Sequence, residues 1–237
     1  MNIKDLAQIE NQALEEARKE FPEYVEHAEF GIGLLSSFAK VNFPEGFIFT
    51  LFLNQITKHT NLSLLSALRR HHVQATLDLR FAMEAGCWAG FAIAHYDQKS
   101  FAEFGKANFV DPTPKLKGEM YKWIEKNYKP GNDSLKRFKD QLNALSTHAN
   151  IVDCWRNFDQ ETFKHDFFDN FEDHHIKTDI WAVANLCRGV IDIFYGINLD
   201  YKILTMAPDF KENFKKLELD NDRFKTEMLK DPRLSKI

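Results

Sequence analysis

Cysteine is scarce in this sequence, and the few cysteines present are poorly placed for cross-links. The 237 residues include only three, an odd number with no CxxC pair. Disulfide frameworks and zinc clusters need even or closely spaced sets of cysteines. We therefore expect free thiols at all three positions, a reducing compartment and no zinc cluster. The three residues are Cys87, Cys154 and Cys187.

Long apolar runs are also missing. The most apolar stretches are Phe47–Leu53, which is short, and Phe81–Ala94, which contains Glu84. A transmembrane helix needs about 20 apolar residues. The first part of the chain mixes acids and bases and lacks the apolar core of a signal peptide. The sequence therefore predicts a cytoplasmic protein with no membrane association.

Common catalytic and metal-binding motifs are absent from the sequence. It has no G-x-S-x-G nucleophile turn, no P-loop and no G-x-G-x-x-G after a strand. Glu172 and His175 form one Glu-x-x-His, whereas a di-iron helical bundle needs two such motifs. Glu23 and His27 have helical i,i+4 spacing, which is common by chance. We expect no bound metal and no cofactor.

The chain has no overall positive charge. Its formal net charge is −4, so no general field draws it to nucleic acid or to an anionic membrane. A nucleic-acid partner is not indicated by this net charge and would have to use a local basic patch. The one compact basic spot, Arg69–His72, is expected to be a solvated helix surface. The pair His174–His175 is also expected on or near the surface.

Phenylalanine is abundant, and helical periodicity dominates the pattern of apolar residues. The 22 phenylalanines can fill a large core. Alternation typical of strands is nearly absent, so we predict an all-α, single-domain multi-helix bundle over 1–237. The expected helices cover 3–20, 22–41, 47–58, 62–95, 115–127, 134–149 and 178–196, with a charged, exposed C-terminal helix over about 208–229. We expect a turn at 129–133 and a Phe-rich loop at 157–175 that either docks onto a partner or folds back on the core, and its phenylalanines favour the second.

The central helix of this bundle is predicted over 62–95. Its second half is apolar on nearly all sides, which is typical of a helix buried all round. Ala82, Gly86 and Gly90 are four residues apart and share one face. Because small residues let another backbone come near, a neighbouring helix is expected to approach closely there.

Two charged residues stand out on this apolar helix. Arg80 and Glu84 are the only charges in Leu79–Ala94, and their i,i+4 spacing places them on one face. We expect both to be mostly buried, either as an ion pair that fixes helix register or as a polar site. His148 follows near a helix C-terminus, where it could cap carbonyl groups or face a ligand.

Two segments carry a resemblance to a known group. Leu79–Ala85 resembles the LR-x-x-x-E helix of certain uncharacterised all-helical bacterial families, and Leu145–Asn150 resembles the serine-then-histidine segment that follows it in them. These families are similar to the HEPN-like helical group, which includes RNases and nucleotide-associated proteins of defence systems. The resemblance covers residues 62–150 and implies a helical fold. HEPN RNases carry a closely spaced Arg and His, whereas Arg156 and His165 are too far apart here.

Two functional hypotheses follow, and they belong to different classes. The first is a non-enzymatic binding or interaction module that self-associates and has a protein or small-molecule partner. The second is a HEPN-like nucleic-acid-processing protein of the RNase type, or an inactive relative. The missing Arg/His motif favours the first. Under either hypothesis, Arg80, Glu84 and His148 are the candidate polar site.

Overall fold

Helices account for most of the regular structure in the computed structural model, which describes residues 2–96, 101, 113–146, 154–155, 157–159, 162–169 and 172–232. This part of the chain contains eight helices and four very short strands, so the all-α prediction is confirmed. The helices are α1 Ile3–Glu20, α2 Pro22–Ser37, α3 Phe47–Leu68, α4 His72–Ala94, α5 Thr113–Asn127, α6 Lys129–Ser146, α7 Asp173–Tyr201 and α8 Phe210–Met228. The strands are β1 Ala39–Val41, β2 Phe158–Asp159, β3 Lys164–His165 and β4 Leu204–Met206.

Local sequence explains how the first two helices begin. The Asn2 side chain accepts hydrogen bonds from the backbone N–H groups of Lys4 and Asp5, at 2.9 and 3.0 Å. The Asp5 carboxylate in turn accepts from the Asn2 N–H, which completes a capping box. Pro22 occupies the first turn of α2, where a missing N–H has no cost.

The predicted central helix 62–95 is wrong in its first third. The chain turns back at Arg69–His71, so α3 and α4 form an antiparallel hairpin. The His71 N–H donates to the Ser66 carbonyl and the Arg70 N–H to the Ala67 carbonyl, which is the hydrogen-bond pattern of a Schellman motif. Arg70 takes the left-handed conformation with φ 60°. Glycine usually occupies that position, so the sequence carried no sign of the corner.

The close helix contact predicted on α4 is confirmed. Helix α7 packs along the face of α4 that carries the small residues. A Cβ added to Gly86 would lie 2.6 Å from Val190 Cγ1, and one added to Gly90 would lie 3.1 Å from Ile197 Cδ1. α4 and α7 therefore share the centre of the bundle, with α2, α3 and α8 packed against α7.

Phenylalanine fills much of the core, as its abundance suggests. Phe49 and Phe194 meet edge to face, with ring centroids 5.1 Å apart. Fully buried phenylalanines occur on four helices and in the segment that follows α2: Phe38, Phe49, Phe91, Phe194, Phe210 and Phe224. Because each ring removes about 150–250 Å² from water, these residues provide a large share of the apolar burial.

Several predicted boundaries differ from the structure. α2 ends at Ser37, and β1 follows it and pairs antiparallel with β4, with Ala39 opposite Met206. The residues predicted as a turn, 129–133, form the start of α6, because proline and glycine are tolerated in a first helical turn. The predicted loop 157–175 contains the β2–β3 pair and the start of α7. Strands of two or three residues are too short to show an alternation of apolar and polar residues in the sequence.

The C-terminal helix is less exposed than predicted. α8 is charged along its outer side, but five residues face the core: Phe210, Leu217, Asn221, Phe224 and Met228. Their spacing follows the helical period, so α8 packs against α2 and α7 as an amphipathic helix.

All three thiols are free, as predicted. Cys87 and Cys187 are buried, and burial raises the pKa of each thiol to about 12. Within the described ranges, α7 is the one helix long and apolar enough to cross a membrane. Much of α7 is buried among the other helices, and the core helix of a soluble protein passes the same test of length and composition.

Candidate functional site

Arg80 and Glu84 lie one turn apart on α4, on the side that faces α5 and α6. Both are partly buried, and the Glu84 side chain is 33% exposed, so the expectation that they are mostly buried is confirmed. The expected ion pair between them is wrong, because none of the contacts of the described residues joins the two. The Glu84 carboxylate pairs with Lys117 of α5, with Oε1 and Nζ 2.6 Å apart. The opposite side of α4, with Gly86 and Gly90, is the side buried against α7. Glu84 is therefore neutralised across helices by Lys117.

Arg80 has a different environment from Glu84. Among the residues the structure describes, its guanidinium forms no hydrogen bond and no ion pair. Its positive charge acts instead on Tyr121 of α5, where it favours the ionised phenol. A guanidinium that is half-buried without a carboxylate retains most of its capacity to bind an anion.

Tyr121 contributes a second unused polar group. Burial, followed by the Cys87 thiol and the Glu84 carboxylate, raises the pKa of this phenol well above its ordinary value. The hydroxyl oxygen is buried and has no hydrogen-bond partner within the described part of the chain. Lys139 of α6 lies over the ring, with Nζ 4.8 Å from its centroid. A protonated hydroxyl without a hydrogen-bond partner among the described residues therefore belongs to a ring that interacts with Arg80 of α4 and Lys139 of α6.

The net charge of α5 and α6 adds to the positive charge near Arg80. Residues 113–146 carry eight lysines and arginines against four aspartates and glutamates, a net charge of +4. The whole chain carries −4, so the remaining residues carry −8. We call the surface formed by Arg80, Glu84, Lys117, Tyr121 and Lys139 the Arg80 surface. It is positive on a protein that is otherwise acidic.

The buried thiol below this surface is not suited to nucleophilic chemistry. Burial is the largest cause of the raised pKa of Cys87, and the Glu84 carboxylate is the second. Both effects disfavour the thiolate, which is the reactive form of cysteine. Arg80 and Lys139 can offer positive charge to a ligand at this surface.

The third sequence-predicted residue, His148, lies outside the described residues. Its convergence with Arg80 and Glu84 stays a prediction. Helix α6, which ends at Ser146, packs against α4 and α5.

A buried cluster that sequence reasoning missed lies at the α3–α4 corner. The predicted solvated surface at Arg69–His72 is wrong, because His72 is 6% exposed. Its imidazole Nδ1 lies 2.8 Å from Asp179 of α7, and its backbone N–H donates to the Asp169 carboxylate at 2.6 Å. His71 is half-buried and pairs with Glu10 of α1 at 3.0 Å.

Asp169 shows how part of the Phe-rich loop folds back. Its backbone N–H donates to the Arg70 carbonyl at 2.9 Å, while its carboxylate accepts from His72. The rings of Phe167 and Phe168 pack on His71, at 5.2 and 5.4 Å between centroids. The cluster therefore joins the loop, the corner and α7, and its carboxylates are used in holding these parts together.

A third feature is a histidine–aspartate pair between α3 and α4. His59 Nδ1 and Asp78 Oδ1 are 2.6 Å apart, and both side chains are partly exposed. The ring of Phe81, itself half exposed, stacks 4.0 Å from the imidazole. Within the described ranges no three potential metal ligands come together, and none of the hydrogen bonds described joins this pair to a nucleophile.

Comparisons with known proteins give no guide to this chain. No protein-family model, no curated protein and no solved structure matches it. Function is therefore inferred from the geometry of the chain itself.

Proposed function

We propose that this chain is a non-enzymatic binding protein that takes a phosphate-bearing ligand at the Arg80 surface. The observation that carries the proposal is the half-buried Arg80, which has no acidic partner among the described residues. Removing a guanidinium partly from water without a counter-charge costs free energy. A bound anion offsets that cost, which gives a physical reason for the arrangement.

The neighbouring groups favour phosphate over a single carboxylate. Lys139 adds an ammonium group over the Tyr121 ring, on which Arg80 also acts, while Lys117 offsets the charge of Glu84, the one acid of this surface. Arginine binds phosphate oxygens through two parallel N–H groups, and several nearby cations favour a ligand with more than one negative charge.

Isothermal titration calorimetry with inorganic tripolyphosphate at low salt tests this proposal. We expect saturable binding that weakens as salt is added, because exposed charges are screened. Arg80→Gln is expected to weaken binding at least about tenfold, since charge-assisted hydrogen bonds contribute about 1.5–3 kcal/mol each. Arg137→Gln is the matched control, because Arg137 is exposed on α6 and, among the described residues, makes only a long contact of 3.5 Å to Ser134.

The calorimetric result can contradict the proposal in two ways. Absence of saturable binding by the wild-type protein rules out the Arg80 surface as a polyanion site. Equal loss in Arg80→Gln and Arg137→Gln attributes binding to general positive charge on α5 and α6.

Nucleic-acid processing is the second candidate, and one observation favours it. The His59–Asp78 pair has the geometry of an oriented acid–base histidine, and Phe81 offers a ring on which a base can stack. Incubation with single-stranded RNA distinguishes the two functions. We expect no cleavage, and cleavage that disappears in His59→Asn or His148→Ala would reverse the ranking.

A further inference from the structure

A pocket lies on another side of the molecule, between α2 and α8. It is open to solvent on one side and has a volume of about 510 Å³, within the range of about 300–1,000 Å³ for small-molecule sites. Acids, bases and aromatic rings share its walls, which are formed by Glu23, Glu26, His27, Phe30, Lys216, Asp220, Arg223 and Phe224. We call it the α2–α8 groove.

His27 lines this groove and is 5% exposed. Its Nε2 lies 3.5 Å from Asn221 Oδ1, and the Asn221 amide nitrogen donates to Asn185 Oδ1 at 3.1 Å. Because the Asn221 oxygen is thus the acceptor, His27 carries its proton on Nε2. Its Nδ1 is then a bare acceptor, and that atom is buried without a hydrogen-bond partner in the described part of the chain.

The charged groups of the groove are not all paired. Arg223 contacts Glu23 at 3.3 Å and Asp220 at 3.5 Å. Lys216 lies over the ring of Phe30, with Nζ 4.8 Å from the centroid. Among the described residues, neither Lys216 nor Glu26 forms an ion pair or a side-chain hydrogen bond. Lys216 on α8 and Glu26 on α2 are thus available to pair with charged groups of a ligand.

We propose that the α2–α8 groove binds a small zwitterion with an apolar body, the chemical class of free amino acids and dipeptides. The ligand ammonium group pairs with the Glu26 carboxylate. The ligand carboxylate accepts from Lys216, which leaves Phe30 to bind. The apolar body packs on Phe30 and Phe224. A simple anion is disfavoured because the groove carries three carboxylates and two cations.

Calorimetry on the full chain with glycyl-phenylalanine tests this assignment. Two matched probes are its N-acetylated form, which has no ammonium, and its C-terminal amide, which has no carboxylate. We expect saturable binding of the dipeptide and binding about tenfold or more weaker for each capped form. The imidazole proton signals of His27 in NMR spectra are expected to shift with the same saturation curve.

Two lysine variants separate the groove from nonspecific effects. Lys216→Gln is expected to weaken dipeptide binding about tenfold while binding of the amide stays unchanged. Lys215→Gln is the control, because Lys215 is exposed and pairs with Glu218 outside the groove. The proposal is overturned by no saturation up to about 10 mM dipeptide, by equal binding of all three probes, by equal affinity in the two variants, or by unmoved His27 signals.

Discussion

Nδ1 of His72 lies 2.8 Å from Oδ2 of Asp179, a residue 107 positions further along the chain. Asp179→Asn keeps the shape of this side chain and removes its charge. We expect a loss of about 1–3 kcal/mol in the free energy of unfolding, because a buried hydrogen bond to a charged group is weakened. Urea denaturation provides the measurement, with Asp200→Asn as the control at an exposed position on the same helix.

A double-mutant cycle distinguishes this pair from general damage to the core. His72→Gln combined with Asp179→Asn is expected to cost less than the two single losses added together, by about 0.5 kcal/mol or more. Additive losses would mean that the two residues do not interact.

The approach of α4 to α7 is expected to make Gly86 intolerant of any side chain. Gly86→Ala places a methyl 2.6 Å from Val190 Cγ1 and should destabilise the fold by about 1–3 kcal/mol, with Gly86→Leu at least as harmful. Gly118→Ala is the matched control, since a Cβ there meets nothing within 4 Å. It should be neutral or stabilise α5 by up to about 1 kcal/mol. Thermal or urea unfolding measures the stability of both variants. Equal stability of Gly86→Ala and Gly118→Ala would contradict the prediction.

The titration of His27 is expected to make the folded protein less stable at acid pH. Burial lowers the pKa of this imidazole from its ordinary value of 6.5, while Asn221 and Asp220 oppose the shift and Arg223 adds to it. The unfolded chain therefore binds a proton more readily than the folded one. The stability contributed by neutral His27 is complete above pH 6.5 and is lost as the pH falls through the folded-state pKa.

The measurement for His27 is the free energy of unfolding between mildly acidic and neutral pH. We expect His27→Gln to flatten the acid side of the curve, because its amide does not titrate there. If the variant and wild-type curves run parallel, another group causes the loss.

Arg80 and Glu84 are expected to be energetically independent. The structure pairs Glu84 with Lys117 at a partly exposed site, and exposed ion pairs contribute about 0–1 kcal/mol. Glu84→Gln and Arg80→Gln should therefore each change stability by less than about 1 kcal/mol, with almost no coupling between them. A urea-based double-mutant cycle measures this, and strong coupling would restore the view of a mutual, register-fixing pair.

The helical class and one helix contact could be predicted because they depend on local pattern. The spacing of Ala82, Gly86 and Gly90 marks a narrow helix face whatever partner packs there. The corner at Arg70 could not be predicted, because its left-handed residue is an arginine where glycine is usual. That corner removes the first part of the predicted central helix and places His72 in the core.

The composition of the candidate site was predictable only in part. Arg80 and Glu84 stand out because charges are rare on an apolar helix. Their partners could not be read from the sequence, because Lys117 and Tyr121 reach them through tertiary packing of α5. The same holds for His27, whose contact Asn221 is 194 positions away.

The short β1–β4 ribbon has a consequence for the speed of folding. It joins the end of α2 to the segment between α7 and α8, and next to it the Asn42 side chain donates to the Lys202 carbonyl across 160 positions. Most helical bundles fold fast because their contacts are local, and folding slows as the sequence separation of contacts grows. Here α2, α7 and α8 meet only after the intervening chain has closed a long loop. The protein should therefore refold more slowly than an up-and-down bundle of the same length.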